Sequence, residues 1–148
     1  MAIDYHLLAA QAHALVANEP DWIANAANLS ALLFQVLPDV NFAGFYRYEN
    51  SELILGPFQG RPACVHIALD HGVCGIAAQT RQPLLVPDVH AFAGHIARDQ
   101  ASRSELVLPI LRDHHLLGVL DLDSPKPARF SQSDQQELMA VLRAVGAD

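Results

Sequence analysis

The stretch from Glu105 to Asp123 constrains the fold most. Glu105–Leu111 and Leu116–Asp123 are two apolar segments broken at Asp113-His114, and they read as strands of one hairpin. A tight turn joins antiparallel strands; parallel ones need a long crossover. The sheet built on this hairpin is therefore expected to be mostly antiparallel.

The remaining segments fit around it. Asp4 is placed to cap a first helix whose apolar face holds Leu7, Leu8, Ala10 and Leu15. After Asn18-Glu19-Pro20, Asp21 caps a second helix with Trp22, Ile23, Ala26, Leu29, Leu33 and Val36 at three- to four-residue steps, stopped by Pro38. Asn41–Tyr48 is an aromatic-rich strand, turning at Glu49-Asn50-Ser51 into Glu52–Leu55. Cys64–Ala68 and Leu84–Val86 are short strands, and Gly72–Thr80 between them is a small-residue helix. Pro87–Arg103 has no clear period, as expected of a functional or mobile loop. Ser131 caps a last helix through Val145, with Asp134 as a capping-box variant. The reading is an α+β chain forming one domain over residues 1–148. It has about six strands, flanked by N- and C-terminal helices that cover one face and the ends.

Composition removes several classes of function. Apolar residues are 51% of the 148 and charged residues 17%, which is ample for a core and excludes a disordered tail. The net charge is -7 and Lys126 is the one lysine, so neither nucleic acid nor an anionic membrane surface is an expected partner. No apolar run approaches the roughly 20 residues of a bilayer span. Met1–His6 does not read as a secretory signal, so the cytoplasm is the expected compartment. P-loop, GxSxG, HExxH and GxGxxG patterns are absent, and no cofactor is expected.

A few residues carry possible chemistry. Asp121 and Asp123 end an apolar strand two positions apart, hence on one face at roughly 6.5–7 Å. They are either the polar run-out of a strand or a pocket that binds an ammonium group or holds one carboxyl protonated. Glu105 opens the preceding strand near the same end. Cys74 lies at the start of the small helix, where backbone N–H groups favour a thiolate. Cys64 lies ten positions earlier, and both thiols are equally readable as inert core residues. Cys64, His66, His71 and Cys74 give a C-x-H-x4-H-x2-C series, which is not one of the usual zinc spacings. No metal is assigned.

Six stretches together carry a family resemblance. They are Leu55–Cys64, Gly72-Val73-Cys74-Gly75, Val86–His90, Gly94-His95-Ile96-Ala97, Ser102–Glu105 and Gly118–Pro125. In these the chain closely resembles the free methionine-(R)-sulfoxide reductases, which are single GAF domains. The resemblance implies a cytoplasmic homodimer that reduces free methionine (R)-sulfoxide and is recycled by thioredoxin. It implies that Glu105, Asp121 and Asp123 bind substrate and that Cys64 and Cys74 match the family's PAC and GVCG cysteines. Two positions depart from the pattern. The family's usual nucleophile, a third cysteine in the long loop, is Arg98 here, and the usual tryptophan of the first strand is Phe42. The function expected is thiol-dependent sulfoxide reduction, with Cys74 as attacker and Cys64 as resolver. The alternative is a non-catalytic module that binds methionine sulfoxide or a related amino acid.

Overall fold

Side-chain caps start the three longer helices in the computed structural model, which describes residues 2–94 and 101–148. Asp4 accepts the Leu7 N–H at 3.0 Å and opens α1 (Tyr5–Val16). Asp21 accepts the Ala24 N–H at 3.0 Å and opens α2 (Trp22–Val36). Ser131 and Asp134 form a reciprocal capping box at the start of α4 (Gln132–Ala144). Each cap satisfies an N–H that the helix itself leaves without a partner. At the other end of α2, Leu37 turns to extended backbone ahead of Pro38.

The strands are β1 (Phe42–Glu49), β2 (Glu52–Gly60), β3 (His66–Ala68), β4 (Leu84–Val86), β5 (Ser104–Arg112) and β6 (His115–Ser124). They form one sheet in the order β3-β2-β1-β6-β5-β4, every neighbouring pair antiparallel. The β5–β6 turn is Asp113-His114, both with positive φ, at 52° and 66°. That backbone matches the right-handed twist of the flanking strands.

Two strands differ from the sequence reading. β2 continues past Leu55 through Pro57 because Gly56 and Pro57 together stand opposite Phe45, a bulge that absorbs a residue unable to donate to the ladder. β3 begins at His66, not Cys64, and pairs only with Glu52–Ile54. One further bond, from the Leu55 N–H to the Val65 carbonyl at 2.8 Å, continues the edge, and Cys64 lies outside the ladder.

The helices also occupy both faces, not one. On the first, α1, α2 and α4 pack on Ala43, Phe45, Leu106, Leu108, Leu120 and Leu122. On the second, α3 (Gly72–Thr80) brings Val73, Cys74, Ala77 and Ala78 against Phe42, Tyr46, Val107 and Val119. Its small residues let it lie close. A Cβ on Gly75 would stand 2.5 Å from the Ala68 carbonyl oxygen.

The apolar faces of α1 and α2 are narrower than the sequence suggests. α1 buries Leu8 and Ala12 while Leu7 and Leu15 are exposed, and α2 buries Ala26, Leu29, Ser30 and Leu33. Trp22 and Ile23 are 48% and 57% exposed, because they line an open groove over β1 and β6. No helix among the described residues is long and apolar enough to cross a membrane.

Candidate active site

The antiparallel register builds the site. Phe42 stands opposite Asp123, and Asp123 opposite Glu105, in one row across β1, β6 and β5. The next row on that face is Gly44, Asp121 and Val107. Glu105, Asp121 and Asp123 are all buried, on the face that α3 covers. Gly44 keeps this row open for an aromatic side chain. A Cβ there would stand 2.2 Å from Phe58 Cβ, and Phe58 stacks on Phe42 with ring centroids 5.3 Å apart.

Cys74 enters from the first turn of α3. Its sulfur donates to Glu105 Oε2 at 3.9 Å. Donor atoms of Cys74, Glu105 and Asp121 all lie within 4.8 Å of one another. The nearby carboxylates oppose the thiolate that the helix N-terminus favours. Glu105 is the neighbour placed to take up the thiol proton.

Cys64 is half-buried just before β3, at the margin of the same apolar cluster. Neither cysteine is in a disulfide. The zinc-like series does not assemble. His66 lies on Glu52 at 2.8 Å and His71 on Asp70 at 2.8 Å, both exposed. Among the described residues, the metal-capable group of three is Cys74, Glu105 and Asp121, with no histidine.

The long loop is anchored at both ends. Val89, in a 3-10 turn over Val89–Ala91, donates to the Arg103 carbonyl at 2.8 Å, and Arg103 donates to the Ser124 carbonyl at 2.7 Å. His95 and Arg98 lie outside the described residues.

Two contributors escaped the sequence reading: Phe58, and Tyr46, whose hydroxyl donates to the Cys64 carbonyl at 3.3 Å. The period-2 series Phe42, Gly44, Tyr46 was the available signal for Tyr46. A separate groove of about 860 Å³ lies by Trp22, Ile23 and Leu117; Tyr46 lines it, and Phe42, Cys64, Cys74, Glu105, Asp121 and Asp123 do not.

Comparison with known proteins agrees with the fold. The GAF domain model matches residues 6–147. The free methionine-R-sulfoxide reductase of Escherichia coli is 50% identical over 126 residues, covering 85% of this chain and 76% of that protein. The chain belongs to the free methionine-R-sulfoxide reductase family of GAF domains. Protein YtsP of Bacillus subtilis is 53% identical over 91% of this chain and 84% of its own length. The structure of fRMsr of Staphylococcus aureus in complex with substrate superposes with a TM-score of 0.94 at 47% identity. That match covers 98% of this chain and 95% of that one.

Proposed function

We propose that this chain, as one GAF domain over residues 1–148, reduces free methionine (R)-sulfoxide to methionine with its own two thiols. One observation carries the reading: the Cys74 sulfur lies beside Glu105 and Asp121 on the buried face that also holds Phe42 and Asp123. A free amino acid needs carboxylates for its ammonium and an apolar wall for its thioether end. Asp123, Asp121 and Glu105 supply the first and Phe42 the second. Membership of the reductase family supports the substrate.

In the proposed reaction the Cys74 proton passes to Glu105 and the sulfur attacks the sulfoxide sulfur. The acidic cluster protonates the sulfoxide oxygen. The oxygen then passes from the substrate sulfur to the Cys74 sulfur as the bond between the two sulfurs breaks; methionine leaves reduced by two electrons and Cys74 becomes a sulfenic acid. Cys64 then attacks that sulfur: the S–S bond forms, the S–O bond breaks and water departs. A thioredoxin-type dithiol reduces the disulfide. The setting proposed is a cytoplasmic homodimer.

Arg98 takes the place of the family's usual nucleophile and has no sulfur to offer. The scheme therefore rests on Cys74 and Cys64 alone. Arg98→Cys is expected to raise the turnover of free methionine (R)-sulfoxide by about 100-fold, the order that correct placement of a reacting atom provides. A level or lower rate would show that the two cysteines are self-sufficient.

The direct test is methionine release from free (R)-sulfoxide with a dithiol reductant, followed by peptide mapping after one equivalent. A Cys64–Cys74 disulfide is expected. Methionine released with both thiols still free overturns the scheme. Calorimetric binding without release assigns the non-catalytic alternative.

A further inference from the structure

We infer that Tyr46 is a positioning residue that holds Cys64 through a hydrogen bond to its backbone. The inference rests on the proposed role of Cys64 as the resolving thiol. Tyr46 is 1% exposed and points from β1 into the α3 side of the sheet. A buried phenol needs an acceptor for its O–H. Here that acceptor is the carbonyl oxygen of Cys64, at 3.3 Å and eighteen residues along the chain.

Cys64 needs such a hold more than its neighbours do. Strand pairing of β3 starts only at His66, and Arg61–Val65 has no ladder of its own. The next carbonyl, that of Val65, accepts the Leu55 N–H at 2.8 Å. The two contacts fix successive peptide planes. Setting the plane that follows Cys64 restricts its ψ, and so the direction in which its Cα–Cβ bond carries the sulfur. The Tyr46 ring packs in the apolar cluster, while its hydroxyl extends the reach of β1 to the Cys64 carbonyl, one residue before the bond from β2.

The test is Tyr46→Phe, which keeps the ring and removes the hydroxyl. Alkylation of each cysteine by iodoacetamide is followed by peptide mass spectrometry on the whole chain. Loss of one neutral hydrogen bond should raise the Cys64 rate about five-fold, with the Cys74 rate unchanged. After one equivalent of free methionine (R)-sulfoxide, a dimedone-trappable sulfenic acid on Cys74 should persist about five-fold longer than in the parent. An unchanged Cys64 rate overturns the inference. So does an equal rise at both cysteines, which would report general loosening. If the parent protein forms no sulfenic acid, the proposed reaction fails, and the ratio of the two alkylation rates still decides the role of Tyr46.

Discussion

Strands β5 and β6 present opposite chemistry on their two sides. Toward α1, α2 and α4 they place Leu106, Leu108, Leu120 and Leu122, all buried. Toward α3 the intervening positions are Glu105, Val107, Val119, Asp121 and Asp123, equally buried. The two faces share one backbone, so they share one register. A slip of a single residue would drive three carboxylates into the leucine layer. The difference shows a division of labour. The leucine face supplies stability, since each such side chain contributes about 1.5–3 kcal/mol on burial. The carboxylate face works against stability, because charged groups are costly to bury. What it provides is a place for the proposed ligand's ammonium beside a thiol.

The sharpest way to separate the faces is to damage one and measure both properties. Leu120→Ala on the helix side should destabilise the fold by about 3 kcal/mol in urea unfolding, through lost transfer energy and a cavity. The affinity of the molecules that remain folded for free methionine (R)-sulfoxide should stay at the parent value. A large loss of affinity per folded molecule would break the comparison. Asp123→Ala should do the reverse. Sulfoxide binding in calorimetry should weaken by about 2 kcal/mol, because a buried ammonium loses its counter-charge, while the urea midpoint stays level or rises. Unchanged affinity would remove Asp123 from the site.

The smallest effect tests a contact on the helix side. Tyr5 donates to Asp134 Oδ1 at 2.5 Å, tying α1 to α4, and Arg129 lies 3.3 Å from Asp134 Oδ2. Burial alone would raise the Asp134 pKa. The hydrogen bonds from Tyr5 and from the Ser131 backbone and hydroxyl, with the Arg129 charge, outweigh it and hold the carboxyl below its ordinary 3.8. A carboxyl depressed in the folded state stabilises above its unfolded pKa and loses that contribution as pH falls through the folded one. Acidification from about pH 5 to about pH 3 should therefore cost the parent about 1 kcal/mol more than it costs Asp134→Asn. Equal acid sensitivity of the two would show that the contact adds nothing.

Features decided within a few residues were legible in the chain. Asp4, Asp21 and Ser131 announced their helices because a cap bonds only two or three positions ahead. The Asp113-His114 turn fixed β5 against β6, and the i, i+2 spacing already put Asp121 and Asp123 on one face. Features that depend on a distant partner were not legible. Pro57 looks like a strand end until Phe45 is seen opposite a bulge. Trp22 and Ile23 fit a helical stripe, yet they line an open groove and stay largely exposed. The spacing of Cys64, His66, His71 and Cys74 suggested a shared ligand set, but His66 and His71 lie on surface acids.

By itself the sequence determined the element list, the antiparallel hairpin and the residue types available for chemistry, because those follow from local backbone preference and side-chain period. Tertiary structure alone decided that α3 crosses to the face opposite the other helices. That crossing sets Cys74 against Glu105 and Asp121, thirty-one residues or more along the chain. It also left Cys64 outside β3, with its carbonyl on Tyr46. The physical reason is that a strand's period says which residues share a face, but only packing says what covers that face.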